Sequence, residues 1–518
     1  MSGSTRDLDA VKAKRAAAKQ RRSAEKDVRQ CANTAGGVLA QVFGQKDQEA
    51  EPQRARAGAA AGRGTGQTSG PRASNLPSGD DYAQAGMACL AEKGKMEQED
   101  ACVKMGLQDA LELLPLEMHS KIVPATRTFV LRRTSKTMRS AVENAKVDVV
   151  VVIRSGVMFR NGEGLLDKLN GLKTWCRVTE LRLKECKLGE GGGQAIAAGL
   201  RVNSTVTSLN LQENSLGKGG AQAISAALRV NRTVTSLNLC FNKLGKGAAQ
   251  ALAAALRVNS TLTELDLGNN PLGEGGVQAI AAALRVNTTL TDLELTDSSL
   301  GEGGAQAIAA ALRVNSTVKW VKLGLNELGD GAGQALAAAL RVNSTVTSVR
   351  LYNNELEEGA GQAIAAALRE NNTVSSLILR SNQLGDGGAQ AIAAALRVNT
   401  TLTELDLGDN SLEEGGGQAI AAALRVNSTV KTLYLCMNEL QEGGGQAIAA
   451  ALRVNATLTN LDLYSNSLEE GTGQAIAAAL RVNTTLTELA LGYNELGKGG
   501  KSVIRQSWGN RGGTLELD

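Results

Sequence analysis

The residues best equipped for chemistry in this chain are few, and most are placed where chemistry cannot use them. One histidine, His119, serves 518 residues, so no pair of imidazoles can share a metal or relay a proton. The seven cysteines, Cys31, Cys89, Cys102, Cys176, Cys186, Cys240 and Cys436, follow no paired spacing and are odd in number. That pattern fits reduced thiols better than a disulfide framework or a zinc site. GKGGKS (497–502) imitates a phosphate loop, but Glu495 stands where the first glycine of that motif belongs. No catalytic residue, cofactor or metal is expected, and the chain reads as a non-enzyme.

What does recur is a different chemistry, that of amides and leucines. Asn214, Asn242, Asn270, Asn326, Asn354, Asn382, Asn410, Asn438, Asn466 and Asn494 fall on one 28-residue step, with Cys186 and Ser298 replacing Asn at two further steps. An amide both donates and accepts, so a column of them can satisfy the backbone of a buried turn in each copy. Cys186 and Ser298 should leave looser turns.

The step belongs to a repeat typified by LTELDLGNNPLGEGGVQAIAAALRVN (262–287). Its pivots run Leu181, Leu209, Leu237, Leu265, Leu293, Val321, Val349, Leu377, Leu405, Leu433, Leu461 and Leu489. TELDLGNNPL alternates apolar and polar residues, as a strand with one buried face does. GVQAIAAALRVN sets Ile280, Ala283 and Leu284 on one helical face. No copy can bury its own face alone, so twelve copies must stack. Acidic Glu274, Glu302, Asp330 and Glu358 are placed before their helices, with Arg285, Arg313, Arg341 and Arg369 at the ends, matching the helix dipole. Eleven N-x-[ST] sites, Asn203 through Asn483, read as helix-terminal Asn tolerant of the left-handed conformation rather than as glycan acceptors.

LDLGNNPL (265–272) and LYLCMNEL (433–440) resemble the leucine-rich repeat. The helix-containing 28-residue form is similar to the ribonuclease-inhibitor class, shared with NOD-like receptors and Ran GTPase-activating proteins. The resemblance implies an α/β leucine-rich-repeat solenoid, a horseshoe with a parallel inner sheet and outer helices, that grips proteins on its concave side. A GTPase activator is a second possibility, although the long acidic tail of the Ran activators is missing.

Residues 1–75 read as a disordered basic arm and 76–145 as a helical region. Residues 146–178 read as an N-terminal cap with a strand in VDVVVVI (147–153), 179–505 as the repeats and 506–518 as a C-terminal cap. LPLEMHSKIV with LRRTSKTMRSAV, within 114–142, resembles a degenerate F-box, which implies docking to a ubiquitin-ligase adaptor through short helices. The start lacks the apolar core of a signal peptide, and no run suits a membrane span. An intracellular protein, cytoplasmic or nuclear, is expected. A net charge of +4 gives no case for nucleic acid.

Function must then reside where copies differ, on the residues flanking the strand leucines. A protein-binding surface is expected from Arg182, Asp266, Glu294, Trp320, Lys322, Arg350, Tyr352, Arg380, Asp406, Tyr434, Tyr464 and Tyr493. Two acidic blocks, Glu264 to Asp297 and Glu404 to Asp409, flank the basic Lys322, Arg350 and Arg380; like charges on adjacent strands repel, a cost that a basic partner could relieve. Trp320, Arg350 and Tyr352 should contribute little to folding, because the leucines of their strands point the other way.

Overall fold

The computed structural model describes the backbone of 128–130 and 149–152 and all of 178–518. The first two strands are β1 (Thr128–Val130) and β2 (Val149–Val152), followed by β3 (Val178–Arg182). Eleven more follow at steps of 28, from β4 (Ser208–Asn210) to β14 (Glu488–Ala490), and β15 (Thr514–Glu516) closes the row. All fifteen form one sheet in chain order, each pair parallel. A helix follows each strand from β3 to β14, beginning with α1 (Gly189–Leu200) and ending with α12 (Gly497–Trp508).

Register explains the regularity. From Glu180 to Ala490 each strand residue faces the residue 28 positions on, as Leu265 faces Leu293. Equivalent side chains therefore form straight rows across the sheet. The pivot leucines and valines are at most 3 % exposed and pack on Ile280, Ala283, Leu284 and their equivalents. At the C-terminal end the strand arrives two residues early, with Leu489 facing Leu515. Trp508 is buried there, and the Arg511 guanidinium lies 5.7 Å from its ring centre.

Contact between neighbouring helices depends on paired sizes. A methyl group on Gly304 would meet Val277 side-chain carbons at 3.5 Å, and one on Gly445 would meet Thr472 Cγ2 and Oγ1 at 2.7 Å. Where one helix carries the larger residue its neighbour carries glycine, which lets the helices approach closely.

The Asn column does what its spacing implies. Asn326 Oδ1 accepts from the Ser298 and Leu300 N–H groups of the preceding repeat at 2.9 and 3.3 Å. Its Nδ2 donates to the Leu295 and Gly324 carbonyls, both at 2.8 Å. At Ser298 the service is poorer. Its hydroxyl lies 3.3 Å from the Leu267 and Thr296 carbonyls, while the Leu272 N–H turns to the Asn270 carbonyl at 2.7 Å. Pro271 in that turn also holds φ negative, where Ser215, Lys243 and Ser299 are left-handed.

Four expectations need correction. The buried N-x-[ST] asparagines owe their place to hydrogen bonding, since none among Asn203 to Asn483 has a positive φ. Asn231 Oδ1 accepts from the Thr233 and Val234 N–H groups, and Nδ2 donates to the Leu200 and Asn203 carbonyls of the previous repeat. The acids stand inside their helices' first turns, as Glu274 and Asp330 open Glu274–Leu284 and Asp330–Leu340. Asp330 also reaches forward, its carboxylate accepting from the Glu357 and Ala360 N–H groups of the next helix. Arg369 lies within its helix, Glu358–Glu370, rather than ending it. Finally, Thr128–Val130, within the 76–145 stretch read as helical, is a strand paired with β2; it falls between the two F-box-like runs, 114–123 and 131–142. Its β-branched and aromatic residues suit a pleated surface. The remainder of 114–142, the arm, and Trp175 lie outside the described residues.

Candidate protein-binding face of the sheet

Because side chains alternate along a strand, the residues flanking each pivot project from the face opposite the helices. Trp320 is 52 % exposed there, aligned with Asp292 and Ser348. Lys322 lies between Glu294 and Arg350 in the next row. Its ammonium pairs with Glu294 at 2.9 Å, so the first acidic block is partly answered from within. Asp266 is likewise engaged, accepting from Asn238 Nδ2 at 2.8 Å and the Gly268 N–H at 2.9 Å. Burial, opposed by that last bond, holds its carboxyl above the usual range.

Tyr352 departs from the sequence expectation. A methyl group on Gly324 would lie 2.5 Å from its ring, so the phenol is laid across the space that this glycine leaves. Burial pushes its ionisation upward. Tyr352 is therefore packed as well as displayed, whereas Trp320 and Arg350 are exposed.

The second acidic block is more deeply set. Asp406 is 7 % exposed and accepts from the Gly408 N–H at 2.9 Å. Burial raises its carboxyl to about 6, against the opposing pull of the Arg380 charge and the Gly408 bond. Tyr434 lies between Asp406 and Asp462 in the same row, and burial followed by Glu404 and Asp406 pushes its phenol to about 12. Beyond it the Tyr464 and Tyr493 rings meet at 4.9 Å between centres, and Tyr493 is 65 % exposed.

The acidic row runs further than sequence reasoning carried it. Glu516 on β15 aligns with Ala490, and burial with the nearby Asp462 charge raises its carboxyl. The two-residue contraction of the last repeat hid that alignment, because a strict step of 28 misplaces it. Arg182 does not join this group. It pairs with Glu180 on β3, eleven strands from Tyr493. Lys501, from the phosphate-loop look-alike, is held at 3.1 Å by Asp518.

The pKa of Asp406 carries a test. Its folded value lies above the ordinary carboxylate value of 3.8, so the folded chain holds the proton more tightly than the unfolded chain. Stability contributed here is present at about pH 4 and falls as pH rises to about 6. Asp406→Asn should remove that fall, raising stability at pH 7 by on the order of 3 kcal/mol and leaving pH 4 nearly unchanged. Thermal unfolding at the two pH values checks this, and an equal gain at both would contradict it.

A parallel sheet in chain order, backed by one helix per 28-residue leucine-bearing unit, defines a leucine-rich-repeat solenoid. The family model described as "Leucine Rich repeat" matches residues 202–225, 230–253, 258–281, 286–309, 370–393, 398–421 and 482–503. No curated protein sequence matches the chain. Among solved structures, "Leiomodin-1 Actin-Binding Site 2 (ABS2)" is similar at 22 % identity, over 31 % of this chain and 77 % of that one, with a TM-score of 0.22. Among the described residues no helix is long and apolar enough to cross a membrane.

Proposed function

We propose that this chain is a binding scaffold whose uncovered sheet face holds a protein partner, centred on Trp320 and Arg350. The observation that carries the reading is Trp320 itself, a large aromatic standing half in solvent on a strand whose pivot, Val321, is buried. The surrounding rows vary from copy to copy while the buried positions repeat. Aromatic and arginine side chains are the usual anchors of protein interfaces. The tyrosines and carboxylates of the C-terminal strands extend the face and favour a partner with a cationic segment.

Trp320→Ala with Arg350→Ala is expected to weaken partner binding by about 2 kcal/mol or more and to leave the thermal midpoint in place. Tyr352→Ala should lower the midpoint, since it empties the space over Gly324. Affinity capture with mass spectrometry, followed by titration of the captured protein against each variant, reads both. Undiminished binding by the Trp320/Arg350 variant would remove the face from the interface. Co-purification of a Skp-type ubiquitin-ligase adaptor through 114–142, or stimulated GTP hydrolysis, would instead favour a substrate receptor or a GTPase activator.

A further inference from the structure

One edge of the solenoid repeats as faithfully as the core without packing in it. An arginine marks the end of each of the eleven helices from α1 to the one ending at Leu480, from Arg201 to Arg481 at steps of 28; ten stand just after their helix, Arg369 stands in the last turn of Glu358–Glu370, and every one is exposed. The next residue is valine in ten of the eleven, between 49 % and 86 % exposed. The eleventh is Glu370, whose carboxylate takes Arg341 at 2.7 Å. Among the described residues no other arginine of this row has a carboxylate partner. From each arginine to the next strand, Glu370 is the only acid in all eleven copies, while Arg232, Lys319 and Lys431 add further cations.

Local structure does not call for these side chains. The helix ends are closed by backbone bonds, such as Val230 N–H to the Ala227 carbonyl, and by the Asn231 amide. The equally uniform exposed glutamines do have a local role, as Gln278 bonds Glu274 one turn away. The helix dipole accounts for part of the arginine charge, about half a unit at each end. It gives no reason for a bare valine beside it. The zero-shift register lines these pairs up in one continuous row, cationic and apolar together.

We propose that this arginine–valine edge docks on the surface of an anionic lipid bilayer. Apolar side chains interleaved with cations match the headgroup region, where buried apolar area and attraction to anionic lipid act together. A nucleic acid would use the arginines but gain nothing from ten valines facing phosphates. The sheet face is a different surface, so a bound protein partner and a membrane can be held at once.

The test is co-sedimentation of the full chain with phosphatidylcholine vesicles, with and without phosphatidylserine, over a salt series. Binding is expected only with phosphatidylserine and should fall with salt. Replacing Arg257, Arg285, Arg313 and Arg425 by Gln should weaken it at least about tenfold, since each cation near such a surface contributes several-fold. Replacing Val258, Val286, Val314 and Val342 by Ser keeps the charge and should also weaken it. Both sets are exposed, so unfolding midpoints should hold. Absence of binding to phosphatidylserine vesicles, or equal binding by both variants and wild type, would overturn the proposal. Duplex DNA binding that is insensitive to the serine variant, with no vesicle binding, would assign the edge to nucleic acid instead.

Discussion

Asn326→Ala is expected to cost about 3 kcal/mol of folding stability, since it strips partners from several buried backbone groups at once. The Ser298 and Leu300 N–H groups lose their acceptor, and the Leu295 and Gly324 carbonyls lose a donor. Asn326 is 2 % exposed, so bulk solvent does not take the place of its amide. The comparison within the same molecule is Ser298→Asn. It supplies an acceptor where the Leu272 N–H now folds back on the Asn270 carbonyl, and should be neutral or stabilising. Denaturant unfolding of both variants reads the difference. Wild-type stability in Asn326→Ala would mean that the column is ornamental.

Gly445→Val should cost a similar amount, about 3 kcal/mol, for a steric reason. Its first added carbon already falls 2.7 Å from Thr472 Cγ2 and Oγ1, and overpacking of this kind typically costs up to about 3 kcal/mol. The second site offers a rescue. Thr472→Gly in the same chain recreates the Val277–Gly304 pairing found elsewhere in the solenoid. It should return most of the loss, even though Thr472 alone forfeits its bonds to Glu442. A double variant no better than Gly445→Val would show that the two helices do not meet through these residues.

The contrast between these two predictions marks what could be read from residues in order. The Asn column was legible because its partners stand at fixed offsets within a period that the leucines display. The size pairing was not, because Gly445 and Thr472 belong to different copies and become neighbours only when helices pack. Tyr352 illustrates the same boundary. Alternation correctly places it on the uncovered face, but its partial burial depends on Gly324 one strand away. The N-x-[ST] asparagines stand out in the sequence but their reason does not, since their Nδ2 bonds run back to the preceding repeat, which a single copy does not contain. Glu516 escaped because the final strand leaves the period.

Those backward-reaching amides give the solenoid a direction. Asn231 completes the helix end that closes at Leu200, and each later copy completes the one before it. At the end of the row Arg511 occupies the next step after Asn483, and its guanidinium donates to the Leu480 and Asn483 carbonyls as an asparagine would. A repeat's hydrogen bonding is therefore complete only when its successor is in place. Gain or loss of a whole unit would keep the backward amide bonds at the new joint, provided that the helix residues meeting there still set a glycine opposite the larger partner, as Gly304 stands opposite Val277.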